Sequence, residues 1–181
     1  RDQEINKLLP VMLEAVSNLR NYQIVIAGAP SKSIEYYNKV IRSNDSSGNL
    51  VKVICNETYN ILRVSTAAIV TSGTATLETA LFKVPQVVCY KTSWLSYLIG
   101  RLLIPDLKYI SLVNIILDKE VVTELIQGDC NKTNLVIELQ KILNKKNMSS
   151  MFNNYDLLHK MLGGKGASKK TADLIEKYMK N

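Results

Sequence analysis

The sequence has little of what most metal, disulfide and membrane chemistry requires. One His and three Cys occur in 181 residues. His159 stands apart from any Cys-x-x-C pair, which argues against a zinc site. Cys55, Cys89 and Cys130 are far apart and odd in number, the pattern of reduced cytosolic thiols and not of a disulfide framework. No apolar run approaches the roughly 20 residues of a membrane-spanning helix. The longest, Trp94 to Ile104, is broken by Arg101. No basic segment followed by an apolar one opens the chain, so no secretory signal is read. Arg1 already lies in a helical pattern, and no strand precedes it. We therefore expect a piece of a longer protein that lacks its first strand.

What is present is globular: 46% hydrophobic and 22% charged residues, with a net charge of +7. The charge is uneven. Residues 141–181 hold nine Lys and three acids, a net of +6, while residues 1–140 hold fourteen basic and thirteen acidic groups. A neutral body with a basic tail is not the footprint of a nucleic-acid-binding domain, so no nucleic-acid partner is expected.

The apolar period alternates between helix and strand. Helices are predicted over 2–20, 31–42, 58–65, 74–83, 95–103, about 120–127, 132–145 and 168–180. Strands are predicted at 23–28, 51–55, 67–71 and 86–90, with a loop at 44–49. Strands apolar on both faces, alternating with helices, predict an α/β fold: a Rossmann-like parallel sheet flanked by helices. Gly163 to Gly166 reads as a linker before the last helix. The domain expectation is an α/β domain over 1–147 and a basic helical tail over 148–181.

Four patterns could carry chemistry. In Val70-Thr-Ser-Gly-Thr-Ala-Thr-Leu-Glu78 a buried strand runs through Ser-Gly-Thr into a helix. Ligands bind at the carboxyl ends of strands in open α/β sheets, and a helix start there offers N–H groups to phosphate. Gly73 permits close approach, Ser72, Thr74 and Thr76 add hydroxyls, and Glu78 could accept from ribose hydroxyls. The plainer alternative is a Ser or Thr helix cap with Glu78 complementing the dipole. No Gly-Lys-Ser/Thr follows, so this is not a Walker loop. In the second pattern, Glu120, Glu124 and Gln127 at i, i+4 and i+7 share one face if 120–127 is a helix. They could hold sugar hydroxyls or form a solvated face. In the third, Leu95, Leu98, Ile99, Leu102 and Leu103 form a stripe beside Trp94, either an interfacial or acyl-facing helix or a core helix. The fourth is Arg1 with Glu4: Arg1 could pair with a pyrophosphate at a helix start if a strand and glycine-rich loop preceded it, or be a surface Arg at a truncated end.

These residues resemble the C-terminal half of the lipid-A-disaccharide synthase family. The resemblance rests on Arg1-Asp-Gln-Glu-Ile5, Ser72 to Glu78, Val84-Pro-Gln-Val-Val88 with Tyr90-Lys91, Tyr109-Ile-Ser-Leu-Val-Asn114 and Glu120 to Gln127, in order over residues 1–127. It implies the C-terminal, nucleotide-sugar half of a two-domain GT-B glycosyltransferase. The implied reaction joins UDP-2,3-diacylglucosamine to 2,3-diacylglucosamine 1-phosphate through a β-1,6 bond, releasing UDP without metal or cofactor. By position, Arg1, Glu4, Ser72, Gly73, Thr74, Glu78, Asn114, Glu120, Glu124 and Gln127 would bind the donor. The general base is not identifiable and is expected on a missing N-terminal domain or across the cleft, so this half alone is expected to be inactive. Implied partners are the two acylated sugars, an anionic membrane surface and another copy of the chain. The implied location is the inner face of the bacterial inner membrane, as a cytoplasmic peripheral protein. Lys stands at 91 and 119 where the family usually has Arg, keeping charge but not bidentate geometry, and Val113 stands for Pro. Another UDP-sugar enzyme, such as an epimerase, and a non-catalytic α/β module are the alternatives.

Overall fold

The computed structural model describes residues 2–44, 51–92, 108–163 and 166–179. The chain order is α1 (Asp2–Val16), β1 (Ile24–Gly28), α2 (Ile34–Asn44), β2 (Val51–Cys55), α3 (Thr58–Val64), β3 (Ala68–Thr71) and α4 (Ala75–Leu81). It continues through β4 (Gln86–Tyr90), α5 (Leu112–Leu117), β5 (Glu124–Ile126), a 3-10 turn (Gln127–Asp129), α6 (Lys132–Leu143), α7 (Lys145–Leu162) and α8 (Ala167–Met179). The expected helix at 95–103 lies outside the described residues.

The strands form two parallel ladders, β1-β2 and β3-β4-β5. Strand β4 explains why its sequence is apolar throughout. Val87 and Cys89 point into one core with Leu8, Val16, Leu135 and Leu139, while Val88 points into another with Ala80, Val113, Tyr155 and Leu158. Successive side chains alternate faces, and helices cover both, so no position on β4 can be polar without a partner. The polar exception is Gln86, fully buried, whose Nε2 donates to the Thr76 carbonyl at 2.9 Å while its Oε1 has no partner among the described residues. A third core joins Leu9 and Leu13 of α1 to Tyr37 of α2 over β1 and β2. The expected α/β architecture with parallel strands between helices is therefore the one observed.

At one glycine, close packing decides the residue. A Cβ on Gly28 would lie 2.6 Å from the Cys55 Sγ and 3.2 Å from the Tyr37 ring. Tyr37 is held there because its hydroxyl accepts the Ala29 N–H at 2.9 Å.

The predicted helix at 120–127 is wrong. Residues 124–126 pair in register with Val88, Cys89 and Tyr90, and Gln127 opens the 3-10 turn. Two causes operate. The run Val121-Val-Thr is β-branched and suits a strand. The Val121 and Val122 amides also donate to the Asn114 side-chain oxygen, at 2.8 and 3.0 Å, and not along a helix. Glu120, Glu124 and Gln127 therefore share no helix face. The nearest preceding helix is α5, which ends at Leu117, ten residues before Gln127 (Asp118 caps it in left-handed conformation, φ 47°).

Helix α7 packs against α4, α5 and α6, and its Tyr155 and Leu158 are fully buried. Helix α8 leaves Leu174, Ile175, Tyr178 and Met179 exposed. No described helix is long and apolar enough to cross a membrane.

Candidate functional site at the carboxyl edge of the sheet

The carboxyl ends of β3, β4 and β5 converge on residues 72–78, 90–92, 108–111 and 124–127. Past β3, the Ser72 amide extends the ladder by donating to the Cys89 carbonyl at 3.1 Å. Gly73 then takes φ +149°, a value that side chains rarely adopt, and the chain turns into α4. The helix is not capped by a hydroxyl. Thr74, at the cap position, is itself helical and makes no side-chain cap bond.

The hydroxyls of this turn are mostly committed. Ser72 Oγ donates to the Ile110 carbonyl at 3.1 Å, and Thr76 Oγ1 donates to the Gly73 carbonyl at 2.8 Å. The Thr76 and Leu77 amides are taken by the carbonyls of Gly73 and Thr74. What remains is the exposed Thr74 hydroxyl and the half-buried Glu78 carboxylate, neither with a partner among the described residues.

Glu124 and Asn114 meet in one network. The Glu124 carboxylate accepts the Ile110 amide at 2.8 Å, the Ser111 amide at 2.9 Å and the Asn114 Nδ2 at 2.8 Å. Asn114 is fully buried. Its Nδ2 also donates to the Val122 carbonyl at 2.8 Å, so with the Val121 and Val122 amides its four bonding positions are filled. Ser111 caps α5 by accepting the Asn114 amide at 3.3 Å.

Gln127 is the odd member. It sits at φ +50°, and its Oε1 accepts the Thr92 amide at 3.1 Å. That bond fixes the amide orientation and leaves the buried Nε2 without an acceptor among the described residues. An orphaned buried donor costs about 1–3 kcal/mol, and left-handed backbone at a side-chain residue adds strain.

Of the expected donor-binding residues, Ser72, Gly73, Thr74, Glu78, Asn114, Glu124 and Gln127 thus lie on elements meeting at one sheet edge. Glu120 is exposed beyond the end of α5, and its side chain joins none of these bonds. Glu4 is placed by its backbone in the first turn of α1, and Arg1 lies outside the described residues. The sequence did not reveal Thr92, the Ile110–Ser111 peptide, or the Gln86–Tyr155 pair under α4. Gln86 Nε2 lies 3.3 Å from the Tyr155 hydroxyl. Burial pushes the Tyr155 phenol well above its ordinary value, partly offset by that bond. Only Ser111 carried a signal, a cap residue before an apolar run.

The cysteines are all free. Cys89 and Cys130 face each other in the core, where the hydrogen bond between them and burial push the Cys89 thiol far up. Among the described residues no cluster of His, Cys, Asp or Glu could hold a metal ion.

A family model described as lipid-A-disaccharide synthetase matches residues 1–177. The lipid-A-disaccharide synthase of Syntrophus aciditrophicus is 42% identical over 147 residues, covering 79% of this chain and 38% of that protein. That of a Sulfurihydrogenibium species is 34% identical, over 97% of this chain and 48% of its own length. That of Francisella tularensis subsp. novicida is 34% identical, over 88% of this chain and 43% of its own length. The chain spans less than half the length of these relatives. On the match over nearly its whole length, the chain belongs to the lipid-A-disaccharide synthetase family, whose members are GT-B glycosyltransferases.

Proposed function

We propose that this chain supplies the UDP-sugar donor site of a lipid-A-disaccharide synthase. The proposed reaction transfers diacylglucosamine from UDP-2,3-diacylglucosamine to the 6-hydroxyl of 2,3-diacylglucosamine 1-phosphate and releases UDP. The observation that carries this reading is the unspent polar set at the sheet edge: Thr74, Glu78 and the buried Gln127 Nε2. A buried donor with no acceptor among the described residues suits a ligand oxygen.

The chemistry follows from what these groups can do. The leaving group is UDP, so charge develops on its diphosphate oxygens as the bond from the anomeric carbon to phosphate breaks and the acceptor 6-oxygen takes that carbon. The Gly73 turn lets backbone approach those oxygens, and Lys91, at the end of β4, adds positive charge nearby. Glu78 accepts from ribose hydroxyls. The base that takes the acceptor hydroxyl proton belongs to the part of the enzyme across the cleft, so this chain alone binds donor without turnover. The basic end of the chain and the exposed apolar face of α8 support docking on an anionic membrane surface, where both acylated substrates reside.

Calorimetry tests the site. The full chain should bind UDP, and Glu78→Ala should weaken UDP more than inorganic pyrophosphate, which lacks ribose. Loss of one ribose hydrogen bond to a carboxylate predicts about a 10- to 150-fold effect, larger than for a neutral bond. A folded protein that binds no UDP refutes the donor-site reading.

A further inference from the structure

The resemblance makes Glu124 a donor contact. The geometry points elsewhere: we propose that Glu124, supported by Asn114, is a positioning residue that sets the Ser72-Gly73-Thr74 turn through the Ile110–Ser111 peptide. The proposal rests on the donor-site reading above and says how that site is held in shape.

The chain of contacts is continuous. Glu124 Oε2 takes the Ile110 amide and Oε1 takes the Ser111 amide, fixing that peptide on the end of β5. The carbonyl of that same peptide unit, Ile110 C=O, accepts the Ser72 hydroxyl at 3.1 Å. Ser72 is thereby held from two sides, by its hydroxyl on Ile110 and by its amide on the Cys89 carbonyl. Gly73, with its φ of +149°, follows directly, so the direction in which the turn enters α4 depends on where Ile110 stands.

Glu124 is also poorly placed to spare an oxygen. Its Oε1 already accepts two donors, and one of these, the Asn114 carboxamide, is itself fully occupied. A carboxylate with three short donors, two of them backbone amides, is bound into the fold as an anchor. Asn114 orients it. That amide bridges Glu124 to the amides and carbonyl of residues 121–122, so the start of α5 and the start of β5 move as one unit.

The experiment is a double-mutant cycle read by UDP calorimetry on the full chain, with Glu124→Gln, Ser72→Ala and the pair. Gln keeps the size and loses one of the two acceptor oxygens. Each single variant should weaken UDP binding about 2- to 10-fold, the value of one or two hydrogen bonds. If Glu124 acts through the Ser72–Ile110 link, the double variant is no weaker than the worse single variant within about twofold. Losses that multiply mean that the two residues contact the ligand independently, and overturn the proposal. If the wild-type protein binds no UDP, the donor-site reading fails separately. The positioning is then read from backbone resonances of the unliganded protein. Glu124→Gln must shift the Ser72 and Gly73 amides as Ser72→Ala does, and unmoved amides overturn it. If Glu124→Gln does not fold, Ser72→Ala must by reciprocity speed amide exchange at Ile110 and Ser111, and unchanged exchange overturns it.

Discussion

Asn114→Ala should be among the most destabilising substitutions in the chain, and its cost can be worked from the contacts. The side chain is fully buried and makes four hydrogen bonds of 2.8–3.0 Å. Truncation strands their partners unequally. Val121 is only partly buried, so water can reach its amide, and Glu124 keeps two backbone donors. Val122 is fully buried and loses partners for both its amide and its carbonyl. Two stranded buried groups at about 1–3 kcal/mol each give about 2–6 kcal/mol in total, a large part of a usual stability of about 5–15 kcal/mol. Asn131 supplies the contrast. It caps α6 from an exposed position by accepting the Asn134 amide at 3.0 Å, so its alanine variant should cost about 1 kcal/mol. The assay is equilibrium urea unfolding followed by circular dichroism, with unchanged slopes required for comparison. A loss below about 1 kcal/mol for Asn114→Ala, or equal losses at the two sites, would refute the claim that the Asn114 network organises residues 110–124.

Two further outcomes test the packing and the surface electrostatics. Gly28→Ala should cost about 1–3 kcal/mol by overpacking against Cys55 and Tyr37, and adding Cys55→Ala should recover part of it; thermal melts of the three variants decide this. The Asp156 carboxyl, 2.7 Å from Lys83 Nζ, is held below its ordinary 3.8, chiefly by the Lys83 hydrogen bond. Its contribution to stability is complete above 3.8 and disappears as pH falls through the lower folded value. A carboxyl titration by NMR should find the low midpoint and see it rise in Lys83→Ala, with little change in melting near neutral pH, because the pair is solvent-exposed.

The architecture was legible because burial on both faces leaves a mark in sequence. A strand covered by helices on two sides is apolar at nearly every position, and the run at 86–90, broken only by Gln86, carries that mark, whereas β2 alternates, with Lys52 and Ile54 exposed. The turn at 72–74 was legible too, since Gly between hydroxyl residues after a buried strand names a strand-to-helix corner. Residues 120–127 misled because their acidic and apolar groups happen to fit a helical period. A three-residue strand is too short for its own pattern to outweigh that. Only the ladder to β4 and the grip of Asn114 on Val121 and Val122 decided it, and both are contacts across the fold.

The family and the strand-to-helix corner proposed as the donor site were thus written in local order: which motif follows which strand. The part each polar residue plays was not. Asn114 and Glu124 read as free ligand contacts in a linear sequence, because a side chain's hydrogen-bond capacity is visible there but its partners are not. Tertiary structure filled the Asn114 amide, bound Glu124 to three donors and left the buried Gln127 Nε2 without an acceptor among the described residues. Sequence therefore determined what chemistry the sheet edge could offer, and packing determined which groups remain to offer it.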